Sequence, residues 1–175
     1  MLLLPRAILF DLDDTILSFG RRALVIEEIA ERAPEWFAPL TPRTAAAAME
    51  ARFKAFWADQ DRHKAWRPRL AQARRMPQRG KIERFDLARR FDHIQIEGDH
   101  GFGKPEERAY RHAMQVLSVA PHETWIVGDN LEWEVIAPQK LGIHSIWYDP
   151  HGDGIPAGHA AKPNRIIRSL TELLA

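Results

Sequence analysis

Hydrophobic and polar positions follow one rhythm in the first half of this chain and another in the second. Ala7–Phe10 is a short apolar run that ends abruptly in carboxylates, the pattern of a buried strand. From there to about residue 78 the periods are helical. Arg21–Ala33 carries Leu24, Val25 and Ile29 on one face and meets Pro34 as a stop. Thr41-Pro42 reads as an N-cap with proline in the first turn. Behind it, Met49, Phe53, Phe56 and Trp57 follow the i, i+4, i+7, i+8 rule of an amphipathic helix. Residues 62–76 predict a further, arginine-rich helix.

From Gly80 the rhythm changes. Lys81–Phe91 predicts a helix with Ile82, Phe85 and Leu87 or Ala88 inward. Ile94-Gln95-Ile96 alternates like a strand and stops at Gly98. Gly101 and Gly103 mark a loop, and Pro105 opens a helix whose stripe is Tyr110, Ala113, Met114 and Leu117. Trp125-Ile126-Val127 predicts a strand ending at Gly128-Asp129. Glu132–Leu141 predicts a helix kinked at Pro138 and closed by Gly142. Strands follow at Ile143–Tyr148 and Arg165–Ile167, then a helix from Ser169 to Leu174. Strands alternating with helices imply parallel pairing through crossover connections. The expected fold class is therefore α/β, a Rossmann-like three-layer parallel sheet. Residues 1–20 and 79–175 form its core, and 21–78 a helical insertion.

Composition narrows the classes. A chain of 175 residues suits one domain with a small appendage, and 45% hydrophobic residues exclude a disordered tail. With no cysteine, disulfides, thiolate metal sites and a thiol nucleophile are excluded. The apolar start is split by Pro5 and Arg6, too short for a signal peptide or a membrane span, so we expect a cytoplasmic protein with no membrane partner. Residues 52–90 hold 13 of the 25 Lys and Arg but only 4 of the 24 Asp and Glu. Such a stretch can bind nucleic acid or steer anions, although a solvated helix face accounts for it as well.

In a parallel α/β sheet, ligands bind at the carboxyl ends of the strands. Asp11-Leu12-Asp13-Asp14-Thr15 follows the first apolar run, and Gly128-Asp129-Asn130 follows Trp125–Val127. Gly103-Lys104-Pro105 follows Ile94–Ile96 after a short loop. Three strand ends would thus bring together carboxylates and one lysine. Clustered carboxylates stay ionised together only near a cation, and hard oxygen donors without His or Cys suit Mg2+. The Asp-X-Asp spacing lets one carboxylate attack phosphorus while the second serves the leaving group, through an acyl-phosphate that water hydrolyses. Read alone, each Asp can equally cap a turn, Asp14 supports the turn, and Trp125, Trp133 and Trp147 pack.

Phe10-Asp11-Leu12-Asp13-Asp14-Thr15, Gly103-Lys104-Pro105, and Val127-Gly128-Asp129-Asn130 with Glu134 resemble, in order, the first, third and fourth motifs of the haloacid dehalogenase superfamily. The resemblance spans nearly the whole chain and makes 21–78 a helical cap inserted after the first motif. It implies Asp11 as nucleophile and metal ligand, and Asp13 as acid/base with its carbonyl on the metal. It implies Lys104 as the residue orienting Asp11 and the substrate phosphate, and Asp129 as a ligand of Mg2+. Glu134 stands where the family more often has a second Asp, so its contact with metal is direct or through water. In the dehalogenase branch the position of Asp13 is not acidic, so Asp13 points to phosphoryl chemistry.

One element of that pattern is missing. The family's second motif is a Ser or Thr after an apolar strand between the cap and Lys104, and no Ser or Thr from 41 to 124 follows an apolar run. Residues 65–82 offer no strand, as though a segment had been lost near Arg75–Gln78, leaving a shortened cap. The run at Ile94 would then pair directly with Ala7–Phe10 or leave an edge exposed. The expected function is a magnesium-dependent phosphatase of small phosphorylated metabolites. The alternative is a catalytically weak or inactive relative that binds metal or phosphate, including one working as a homodimer with exchanged elements. A nucleic-acid binder is disfavoured, because the net charge is only +1 and no base-reading module is visible. A receiver domain also uses acidic residues and a lysine, but the order of elements here differs.

Overall fold

Four strands form one parallel sheet in the order β1 (Ala7–Phe10), β2 (Thr124–Gly128), β3 (His144–Tyr148) and β4 (Arg165–Ile167). The structure, a computed structural model, describes residues 4–18, 22–58 and 60–174. Register aligns Phe10 with Val127 and Gly128 with Trp147, so Asp11 and Asp129 leave the sheet at the same end. Alternate side chains of a strand serve opposite faces. On one face Ile126 joins Tyr110, Met114, Ala137 and Ile143, with Leu9 beside them. On the other Trp125 and Val127 pack with Ile146 and Ile167, and Ile8 and Phe10 lie against them. Every residue of β2 is buried, as a central strand covered on both faces must be. Full burial of a side chain such as Ile126 stabilises by roughly 1.5–3 kcal/mol.

The helices are α1 (Arg22–Arg32), α2 (Pro42–Ala58), α3 (Gln60–Arg84), the single turn α4 (Glu97–His100), α5 (Glu107–Val116) and α6 (Ala137–Gln139). The chain divides into two compact units: Met1–Leu17 with Ala71–Ala175, and Ser18–Leu70. The first holds the whole sheet with α4, α5 and α6. In the second, α1 packs on α2 through Ile26, Ala30, Ala45 and Ala46, each at most 8% exposed. The division differs from the 21–78 insertion expected above at both ends: Ser18 falls with the inserted helices, and residues 71–78 fall with the sheet. Among the described residues no helix is long and apolar enough to cross a membrane.

Several expectations need correction. Although Ile96 has extended dihedrals, Ile94-Gln95-Ile96 belongs to no sheet. Its polar member turns to α5 instead: the Gln95 amide donates to the Ala109 carbonyl at 3.1 Å, and its oxygen lies 2.8 Å from His112 Nδ1. Among the described residues β1 therefore pairs with β2 alone and forms an edge of the sheet. Leu24, Val25 and Ile29 are 46–59% exposed, because α1 buries Ile26 and Ala30 instead. Met49 on α2 is likewise 48% exposed, while Ala45 and Ala46 are buried. The separate helices expected at 62–76 and 81–91 are one helix to Arg84, followed by a 3-10 turn at Leu87–Arg89 that buries Leu87 and leaves Phe85 out. Glu132–Leu141 is not one α-helix but a π-helical stretch, Leu131–Ile136, running into α6. The expected turn Thr15–Gly20 is present as far as Ser18; Phe19 and Gly20 lie outside the described residues.

Candidate active site

β1 hands the chain to Asp11 at a pinned position, since the Asp11 amide donates to the Val127 carbonyl at 2.9 Å. A tight turn follows, in which the amides of Ile16 and Leu17 donate to the Leu12 carbonyl at 3.1 and 2.9 Å. Asp14 takes a left-handed conformation, φ 60°, which a short polar side chain tolerates better than most. The turn buries Thr15, whose hydroxyl donates to Asp129 Oδ1 at 3.3 Å. On the other side Trp147 Nε1 donates to the Asp129 carbonyl at 2.8 Å.

The next residue starts a helix by capping it. Asn130 Oδ1 accepts from the amides of Glu132 and Trp133 at 3.0 and 3.1 Å. The following turns are π-helical, a rare form frequent at functional sites, and Tyr110 donates its hydroxyl proton to the Trp133 carbonyl at 2.6 Å. Glu134 lies inside this stretch with no exposed surface. Its Oε2 accepts from the Asn130 amide at 3.0 Å, and its Oε1 from Lys104 Nζ at 2.6 Å. Lys104 also donates to Asp11 Oδ1. One ammonium therefore ties the first acidic motif to the last. Gly128 makes room for this: a Cβ there would stand 2.2 Å from Glu134 Cγ and 3.0 Å from Asp11 Cβ.

The electrostatics follow from burial. Burial opposes the Lys104 charge, but Glu134 and Asp11 outweigh it and hold the ammonium above the ordinary lysine value. Burial raises the Glu134 carboxyl, against the pull of Lys104. Asp129 is pushed up to about 6, first by burial and then by the Asp11 charge. A carboxylate raised by a neighbouring carboxylate is relieved by a cation. Mg2+ needs only one or two carboxylates beside its waters, and the carboxylates of Asp11 and Asp129 are oxygen donors of that kind. Both Glu134 oxygens are already engaged by the protein, which suits contact through water rather than direct ligation. Among the described residues no three Asp, Glu or His side chains form a ready cage.

Asp13 is held by a different set. Lys81 Nζ lies 2.8 Å from its Oδ1 and Gln78 Nε2 lies 2.9 Å from its Oδ2. The sequence residues thus divide: Asp11, Lys104 and Glu134 form one hydrogen-bonded network, with Asp129 coupled to it by charge, while Asp13 is gripped by α3. Thr15, Gln78, Lys81 and Trp147 were not among the expected site residues. The helical spacing of Gln78 and Lys81, three apart on one face, is the only signal that could have paired them.

Residues 67–142 match the haloacid dehalogenase-like hydrolase family model. The fold agrees over almost the whole chain. An HAD phosphatase of Thermococcus onnurineus superposes with TM-score 0.57 and 18% identity, covering 95% of each chain. The HAD-hydrolase YfnB of Bacillus subtilis, solved with magnesium bound, superposes with TM-score 0.58 and 18% identity, covering 97% of each. Over residues 67–142 this chain is similar to haloacid dehalogenase-like hydrolases, and its fold is that of the two solved proteins. The matched stretch carries Lys104, Asp129 and Glu134, and β1 brings Asp11 to them. Among characterised relatives, the phosphoserine phosphatase of Thermus thermophilus is 38% identical over 72 residues, 41% of this chain and 29% of that protein. The N-acylneuraminate-9-phosphatase of Rattus norvegicus is 30% identical over 107 residues, 61% of this chain and 43% of that protein. The chain thus aligns with less than half the length of these two relatives.

Proposed function

We propose that this chain is an HAD-superfamily, magnesium-dependent hydrolase of small phosphomonoesters that works through a phosphorylated Asp11. The observation that carries the reading is the Lys104 bridge between Asp11 and the fully buried Glu134. It fixes the Asp11 carboxylate and places a positive charge where an anionic phosphoryl group arrives. A carboxylate oxygen of Asp11 forms a bond to phosphorus as the ester P–O bond breaks, and Asp13 gives its proton to the leaving oxygen. Water then attacks the acyl-phosphate, Asp13 takes up the water proton, and the Asp11–phosphorus bond breaks to free phosphate. Mg2+, when held by Asp11, Asp129 and the Asp13 carbonyl, neutralises charge on the phosphoryl oxygens. Both relatives named above are phosphatases of small metabolites, which supports that class of substrate.

A second reading, a phosphate or metal binder with little turnover, is favoured by one feature: among the described residues no strand lies between β1 and Lys104 to present a Ser or Thr hydroxyl to the phosphoryl group. Loss of one such donor costs about 2.7–4 kcal/mol of transition-state stabilisation. The two readings separate in one experiment, hydrolysis of 4-nitrophenyl phosphate with Mg2+ by the wild type and by Asp11→Asn. Turnover that disappears in the variant and in EDTA supports the hydrolase. Phosphate binding without turnover supports the second reading.

A further inference from the structure

The C-terminal part of α3 reaches the first acidic motif with two faces at once. Gln78 and Lys81, three residues apart, each take one oxygen of the Asp13 carboxylate, at 2.9 and 2.8 Å. Arg75 and Arg79, four apart, take the two oxygens of Asp99 on α4, at 2.5 and 2.9 Å. The spacings are those of neighbours on a helix surface, so the two grips share one rigid rod. Asp99 anchors the rod, and the rod holds Asp13. The arginines beside Asp99 keep its carboxyl below the usual carboxylate range, in spite of the upward push of desolvation.

A carboxylate gripped at both oxygens by donors on one helix has its plane and rotamer set. Such orientation matters little for a solvated Asp in a turn, and much for a group that must meet a leaving oxygen at hydrogen-bond distance. Gln78 carries a second oddity. Its Oε1 is buried and has no hydrogen-bond partner among the described residues. A buried acceptor left unmet is destabilising, and such groups in native structures call for an explanation. An amide supplies one: its N–H holds the carboxylate, and after a flip its oxygen accepts from the protonated acid.

We infer that Gln78 and Lys81 are positioning residues for Asp13, fixing the carboxyl that serves the leaving group. The inference rests on the hydrolase reading above. Neither residue touches the reacting atoms; both act through Asp13.

The leaving group is the readout. An alkyl phosphate needs its departing oxygen protonated, whereas 4-nitrophenolate departs without help. In Lys81→Met we expect kcat on glycerol phosphate to fall about tenfold, part of the 10²–10⁴ that general acid catalysis supplies. On 4-nitrophenyl phosphate kcat should fall less than about threefold, with KM little changed on both, since binding is not what Asp13 provides. Lys81→Arg should restore most of the loss. Gln78→Leu gives the same selective pattern at smaller size, and serves alone if Lys81→Met does not fold by circular dichroism. Equal losses on the two esters, no loss, or a loss confined to KM overturns the inference while the hydrolase reading stands. A wild type without Asp11-dependent turnover ends both.

Discussion

The two charged networks of the core unit are built on opposite plans. At the sheet end, Lys104, Asp11 and Glu134 come from three separate segments, and Glu134 has no exposure. On the α3 side, all four donors come from one helix, and the arginines are 44% and 48% exposed. Burial is the difference that matters. A dry ion must be matched by its neighbours, because removing one partner leaves an uncompensated charge. A wet ion pair contributes at most about 1 kcal/mol, and its use lies in geometry rather than stability. The sheet end therefore has the larger stake in stability, and the α3 side contributes through geometry; the proposed chemistry and the proposed positioning fall on these two sides in turn.

The contrast can be broken by substitution. Asp11→Asn has the largest expected effect: turnover falls by about four orders of magnitude or more, the scale on which nucleophile removal acts, while thermal unfolding shows the fold intact. Gly128→Ala comes next. Its new Cβ meets a Glu134 side chain fixed at both oxygens, so overpacking should cost about 3 kcal/mol, read from urea unfolding midpoints. A Gly128→Ala protein as stable as the wild type would mean that the sheet end is looser than the contacts imply.

The third prediction uses pH on the metal-free protein. Folding raises Asp129 from 3.8 to about 6, so its proton is bound more tightly in the folded state. The stability this adds is complete below 3.8 and is lost as pH rises through about 6. Asp129→Asn does not titrate, so in EDTA its stability advantage over the wild type should grow from pH 4 to pH 6.5, by about 2–3 kcal/mol. Other carboxylates titrate in both proteins and largely cancel. An advantage independent of pH would mean that Asp129 is well solvated. The smallest effect is expected on the wet side: Arg75→Ala and Arg79→Ala should each lower stability by less than about 1 kcal/mol, less still in high salt.

What was legible in the sequence follows the same division. The runs Ala7–Phe10, Trp125–Val127 and Ile143–Tyr148 read directly as strands, because a parallel sheet covered on both faces demands unbroken apolar stretches. The acidic residues at their ends came with them. The stripe on α5 was equally plain, since Tyr110 and Met114 meet the sheet and Ala113 is buried with them. The stripe on α1 misled, because periodicity shows that an apolar face exists but not which neighbour covers it. Ile94–Ile96 misled because three alternating residues are too few to distinguish a strand from a connection tied down by one glutamine. Gln78 and Lys81 were hidden for another reason. They lie 65 and 68 residues from Asp13, inside a basic run whose ordinary meaning is a solvated face.

The hydrogen bond from Trp147 to the Asp129 carbonyl gives the site an optical handle. An indole that is 7% exposed and tied to the backbone of an ionisable residue experiences that residue's field directly. Its emission should shift when Asp129 changes charge or a divalent cation arrives. The protein has six tryptophans, so the signal is the part of the fluorescence change that Trp147→Phe removes. The cation binding proposed for this site can then be tested without a substrate and without turnover.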